Sequence, residues 1–293
     1  MFAQFFGGYL FNKKLVTAEA LTQAFEDKKN TRMRLGVLAI NAGLMTADQV
    51  EHVNVTQQSV DKRFGDLAVQ LGYVTEEQVD ALLSQQPTDY LLLGQTLVNN
   101  GALTNAEFET AINDYKRENK LTDSDVENDA ADKLTALVSD FYHLDGSNTP
   151  VMLPDFVAML FKGIIRFIDT DFTPLEAELS ESVTAEKVVE QKLSGDYSGA
   201  VYACGDTDTM IGFATRFAGE EMGDVSGFAA ETVGEFLNVT NGLFAVNESN
   251  EHGREISMEP QVVYSNETVP LKKPSIIVPV AFSFGTMSFV ITL

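Results

Sequence analysis

Apolar and polar positions follow two regimes along the chain. Up to residue 116, apolar residues recur at steps of three and four within short segments. Those segments repeat with a period of 29 residues, marked by Gly7, Gly36, Gly65 and Gly94. The second copy runs from Arg34-Leu35-Gly36 through Gly43 and Thr46 to Gln57. The third runs from Arg63-Phe64-Gly65 through Gly72 and Thr75 to Gln86, and the fourth from Gly94 through Gly101 and Thr104 to Tyr115. The first is degenerate, with Lys14 where the others carry their second glycine. Each copy predicts a helical hairpin. Its first helix ends at a glycine able to take the left-handed conformation. Thr46…Gln49, Thr75…Gln78 and Thr104…Glu107 then fit capping boxes that open the second helix. One such hairpin is too small to bury its apolar face, so neighbours must stack into an all-α array.

Beyond residue 116 the pattern changes. Residues 117–149 are acidic, and Leu134, Leu137, Val138 and Phe141 put a connecting helix at Ala130–His143. Its apolar stripe needs a surface, which either flanking domain could supply. Lys120–Asp129 and the Gly-Ser-Asn turn before Pro150 read as tethers. From residue 150 the periods alternate. Helices are predicted over Pro154–Ile168, over Asp206–Phe217 with Asp206 or Thr207 as cap, and around Val233, Leu237, Thr240 and Phe244. Strands are predicted over Val188–Leu193, over Ser198–Cys204 and after Pro260. The uncharged stretch 275–293 is long enough to suggest a membrane anchor. Pro279, Gly285 and its β-branched residues favour strands that turn near Gly285 instead. Helices interleaved with hairpins imply an α+β domain with a largely antiparallel sheet.

Composition narrows the functions. Forty-three acidic against 20 basic residues give a net charge of −23, of which −13 falls in residues 150–293. Nucleic acids and anionic lipids both call for a cationic surface, so neither is an expected partner, and no membrane insertion is expected. The single cysteine, Cys204, allows no intrachain disulfide and fits a buried, inert thiol in a reducing cytoplasm. His52, His143 and His252 lack metal-ligand spacing, so no metal bound by the chain is expected. The apolar start has no basic n-region and does not read as a signal peptide.

Candidate chemistry lies in Glu231-Thr-Val-Gly-Glu235-Phe-Leu-Asn238-Val-Thr-Asn241. Glu231, Glu235, Asn238 and Asn241 fall on another helix face than the apolar one, because residues three and four apart are neighbours. A solvated polar face would look the same. The stretch resembles the Glu-x-x-Asn helix of the CheX/CheC family of chemotaxis phosphatases, which dephosphorylate the response regulator CheY. Pro260, opening a strand some twenty residues later, fits the family, and the resemblance spans about 150–293. Glu231 departs from the usual Asp or Ser. The resemblance implies that Asn238 orients an attacking water and that Glu235 pairs with a lysine of the regulator. It leaves Glu231 to support or dock. It also implies that the regulator brings its own Mg²⁺.

The Arg34…Gln57 and Arg63…Gln86 copies, joined by five residues, resemble the MshEN domain of type II secretion and pilus ATPases. That domain binds cyclic di-GMP through tandem 24-residue motifs. Packing does not require Arg and Gln at matched ends, whereas a twofold ligand with two guanines and two phosphates would use them. The resemblance implies ligand contacts from Arg34, Leu35, Gly36, Gly43 and Gln57, and from Arg63, Phe64, Gly65, Gly72 and Gln86. Asn54, where an apolar residue is usual, and Phe64, in place of Leu, are departures.

The expected organisation is a helical repeat domain over 1–116, an acidic linker with a helix over 117–149, and a CheX-like domain over 150–293. The expected function is a cyclic di-GMP-responsive phosphatase in chemotaxis or motility signalling. Its partner would be a phosphorylated CheY-like regulator, and a homodimer is compatible with it. The alternative is a non-enzymatic adaptor binding cyclic di-GMP and a regulator or flagellar switch partner. A helical array without any ligand is a third reading.

Overall fold

The computed structural model describes residues 2–84, 88–122, 134–144, 151–222 and 227–292. The chain divides into two compact units, Met1–Ala130 and Ala131–Leu293.

Eight helices are described in the first unit: α1 (Phe2–Asn12), α2 (Ala18–Lys28), α3 (Leu35–Asn41), α4 (Ala47–Gln57), α5 (Phe64–Gln70), α6 (Glu76–Ser84), α7 (Asp89–Asn99) and α8 (Asn105–Glu118). Gly43, Gly72 and Gly101 follow α3, α5 and α7 with left-handed φ of 64°, 75° and 73°. Lys14, after α1, adopts the same region at φ 58° although it carries a Cβ. The predicted caps form: Thr46 with Gln49, Thr75 with Gln78 and Thr104 with Glu107 each exchange two hydrogen bonds. The core gathers around Phe6, which meets Phe108 edge-on at 6.3 Å and Tyr90 at 6.4 Å. Phe108 packs against Gly94, where an added Cβ would sit 2.2 Å from its ring.

The second unit opens with α9 (Leu134–Phe141) and α10 (Leu153–Phe167). The stripe Leu134, Leu137 and Val138 is buried, α9 packs on α10, and Tyr142 stacks on Phe161. The apolar face of the connecting helix therefore has its cover within the second unit. Next come β1 (Phe172–Pro174), β2 (Glu178–Gly195), β3 (Gly199–Gly205), α11 (Thr207–Ala218), α12 (Phe228–His252), β4 (Ile256–Met258), β5 (Val262–Phe282) and β6 (Gly285–Thr292). Among the described residues all strand pairings are antiparallel.

Two strands are longer than their patterns predict. β2 starts at Glu178, because its polar first half pairs with β5 in a ribbon wet on one side. β5 runs unbroken from Val262 through Pro270 and Pro279, where two separate strands were expected. This length bends the sheet into a ring. Ile277 of β5 pairs with Val290 of β6 and also with Glu178 of β2, so β2–β3–β6–β5 closes back on β2. One face of that ring holds Val188, Tyr202, Cys204, Val269, Ile277 and Val290 as a single apolar cluster. Burial pushes the Cys204 thiol up to about 12, which keeps it protonated and inert. The opposite face carries the helices: Phe236 of α12 contacts Phe213 of α11 and Phe289 of β6, and Phe244 meets Phe156 of α10.

No described helix is long and apolar enough to cross a membrane.

Candidate functional site

Helix α12 is held from both ends by glycine, with left-handed φ at Gly227 and Gly253. Val233, Phe236, Leu237, Thr240 and Phe244 form its buried stripe. Glu231 and Glu235 are exposed, and neither carboxylate has a hydrogen-bond or ion-pair partner among the described residues. Asn238, one turn on, is half-buried. Its Oδ1 accepts from Gln191 Nε2 of β2 at 3.0 Å.

Gln191 itself is buried and saturated. Its Nε2 also donates to the backbone carbonyl of Glu259 at 3.2 Å, and its Oε1 accepts from Asn241 Nδ2 at 2.7 Å. Asn241 is thus not part of the exposed polar face that spacing assigned to it. It is fully buried, turned towards the sheet by the same 3.6-residue period that carries Thr240 and Phe244 inward. Gly234 brings the helix close to the sheet: its carbonyl accepts from Gln261 Nε2 at 3.1 Å, and an added Cβ would lie 3.4 Å from Val189. Pro260 sits between Gln261, which bonds to the helix, and Glu259, whose carbonyl holds Gln191.

The exposed side of α12 is not purely polar. Phe228, Val239, Leu243 and Val246 are exposed along it, at 55%, 36%, 43% and 59%. Two exposed carboxylates and a fixed carboxamide thus lie beside exposed apolar side chains.

Gln191 escaped the sequence reading. Its signal was a polar residue at an apolar beat, since Val189, Gln191 and Leu193 alternate onto the helix-facing side of β2. A buried carboxamide there requires partners.

Residues 188–284 match the family model described as chemotaxis phosphatase CheX. The chain carries a CheX-like domain. Solved structures similar to it include the chemotaxis protein CheX from Vibrio vulnificus, 17% identical at a TM-score of 0.42, covering 49% of this chain and 99% of that one. Another is the chemotaxis protein CheX from Desulfovibrio desulfuricans, 16% identical at a TM-score of 0.41, covering 46% and 94%. A third is a CheX–CheY–BeF3–Mg²⁺ complex from Borrelia burgdorferi, 16% identical at a TM-score of 0.36, covering 47% and 94%. No curated protein is significantly similar to the chain.

The first unit holds a separate candidate site. A pocket of about 270 Å³ is lined by Arg34, Leu35, Gly36, Gln57 and Phe64, together with Val37, Val50, Asn54, Gln95, Val98 and Asn105. Arg34 is exposed, and its backbone N–H donates to Oε1 of the buried Gln95 at 3.2 Å. Gln57 Nε2 donates to the Lys62 carbonyl at 2.8 Å. The starts of α3 and α5 cross reciprocally: a Cβ at Gly36 would lie 3.3 Å from Phe64, and one at Gly65 would lie 3.2 Å from Leu35. Arg63 and Gly65 do not line this pocket, and the exposed Gly43 and Gly72 serve as helix ends. Gln86 lies outside the described residues. Gln95 and Asn105, from the fourth hairpin, are lining residues that the motif match did not point to.

Among the described residues no group of three His, Cys, Asp or Glu could hold a metal ion.

Proposed function

We propose that the CheX-like domain hydrolyses the phosphoaspartate of a CheY-type response regulator, and that the first unit makes this activity responsive to cyclic di-GMP. One observation carries the phosphatase reading: a carboxamide, Asn238, anchored by Gln191 beside the unpaired carboxylates of Glu235 and Glu231. Phosphoryl transfer depends on positioning and electrostatics. In the reaction a water oxygen bonds to phosphorus in line with the acyl oxygen. The P–O bond to the aspartate breaks, its electron pair leaves on the carboxylate, and the water proton passes to phosphate or solvent. Asn238 orients that water, Glu235 meets the regulator's lysine, and Glu231 docks. The chain supplies no nucleophile. The CheX resemblance implies a Mg²⁺ carried by the regulator, which would screen the phosphoryl charge.

The cyclic di-GMP reading is supported by five motif residues, Arg34, Leu35, Gly36, Gln57 and Phe64, that line a common pocket. The adaptor reading is favoured by the exposed apolar residues of α12, which would seat a partner without any chemistry. Phosphate release from phosphorylated regulators, with and without cyclic di-GMP, separates these readings. The proposal expects acceleration by the wild type. Regulator binding without acceleration leaves the adaptor.

A further inference from the structure

We infer that Gln191 is a positioning residue that locks the Asn238 carboxamide with its oxygen inward and its NH₂ presented to the reaction. For its catalytic consequence the inference rests on the phosphatase reading, while the geometric part stands on hydrogen-bond logic alone. A carboxamide's two ends are near-isosteric, so orientation follows from partners of known polarity. The Glu259 carbonyl can only accept, so the Gln191 atom 3.2 Å from it is Nε2. That nitrogen has a second hydrogen, which goes to the Asn238 atom 3.0 Å away, and this atom must therefore be the acceptor Oδ1. The other end of Gln191 is then Oε1, and it takes a hydrogen from Asn241 Nδ2 at 2.7 Å. A chain of three carboxamides is thus set by one backbone carbonyl.

The Nδ2 of Asn238 has no partner among the described residues and carries two hydrogens. It acts as a donor, to the oxygen of the attacking water and to a phosphoryl oxygen as charge builds there. The remaining lone pair of the water attacks phosphorus. Without Gln191 the amide is free to flip or rotate, and the site alternates between donor and acceptor. Misplacement of an orienting group on this scale costs about 10²-fold in rate.

The test uses the full chain and two independent readouts. The first is NMR relaxation of the Asn238 side-chain NH₂ in the wild type and in Gln191→Met. The inference expects an ordered amide in the wild type and a mobile one in the variant. Equal order in both, or a mobile amide in the wild type, overturns it. If Gln191→Met does not fold, Gln191→Glu replaces it. Its ionised carboxyl can only accept, so it turns the Asn238 amide round and draws the NH₂ inward. The Asn238 amide protons should then exchange with water more slowly than in the wild type, and equal exchange in the two proteins overturns the inference.

The second readout is phosphate release. Gln191→Met should lower kcat about 10²-fold with KM for the phosphorylated regulator unchanged. The same substitution should have no further effect on an Asn238→Ala background. An equal fold-loss on both backgrounds overturns the positioning role. Absence of acceleration by the wild type refutes the phosphatase reading, and the NMR readout still decides whether Gln191 holds Asn238.

Discussion

Gln191 and Asn238 are 47 positions apart in the chain and 3.0 Å apart in the fold, joined Nε2 to Oδ1 across the seam between β2 and α12. This contact makes Asn238→Asp an informative substitution. An aspartate still accepts from Gln191, so the helix stays anchored, but the outward donor becomes an acceptor facing a phosphoryl group. Turnover of phosphorylated regulator should fall at least 10²-fold, as for loss of a transition-state donor. Circular dichroism should be unchanged. Retained turnover would remove Asn238 from the donor role.

The pocket of the first unit separates binding from stability. Arg34→Ala removes an exposed side chain and should change stability by less than about 0.5 kcal/mol. Losing a charged hydrogen-bonding partner, at about 1.5–3 kcal/mol, should weaken cyclic di-GMP binding roughly 10- to 100-fold by calorimetry. Gly36→Ala behaves oppositely. Its Cβ would lie 2.7 Å from Val50 and 3.3 Å from Phe64, so overpacking should cost about 1–3 kcal/mol in urea unfolding. An Arg34→Ala protein that binds the nucleotide as the wild type does would refute the ligand assignment.

Lys14 offers a stabilising change. It is exposed and holds φ 58°, a region that costs a residue with a Cβ about 1–2 kcal/mol. Lys14→Gly removes that strain, and the greater freedom of glycine in the unfolded chain offsets part of the gain. A net stabilisation of about 0.5–1 kcal/mol is expected by urea denaturation. A destabilised variant would show that the Lys14 side chain contributes more than its backbone costs.

Acid should act on the start of α11. Asp206 accepts from Thr209 N–H at 2.7 Å, and hydrogen bonding from Thr209 holds its carboxyl below the ordinary value. A folded-state value depressed below the unfolded one contributes stability that is complete above the unfolded pKa. That contribution fades as pH drops through the folded pKa, here below about 4. Asp206→Asn keeps a capping oxygen that does not titrate. The stability advantage of the wild type over this variant should therefore shrink between pH 7 and pH 3. A constant difference would mean that the ionised cap adds nothing.

Coupling between the two units is the remaining expectation. Cyclic di-GMP should change phosphatase turnover several-fold, a coupling of roughly 1 kcal/mol. Because α9 is buried on α10, a ligand signal has to bias an element already packed in the second unit. Equal turnover and equal regulator affinity with and without the nucleotide would make the units independent.

The parts of this protein legible from sequence are those governed by local rules. Capping at Thr46, Thr75, Thr104 and Asp206 involves residues three apart, and it forms as the spacing predicts. The apolar stripe of α12 and the placement of Glu231, Glu235 and Asn238 on one side of it follow from the helical period alone. Period does not say what lies opposite. Asn241 lies on the edge between the two faces of α12, and only the approach of β2 turned it into a buried partner of Gln191. The same holds for the closed ring, where polar alternation in Glu178–Ala185 concealed a strand whose pairing partner lies some ninety residues on. Lys14 holds a left-handed φ of 58° although it carries a Cβ. Sequence thus determined the helices and the residue types of the candidate site. Tertiary structure decided which polar groups are anchored and which are left to act, because burial and hydrogen-bond polarity depend on contacts between segments far apart in the chain.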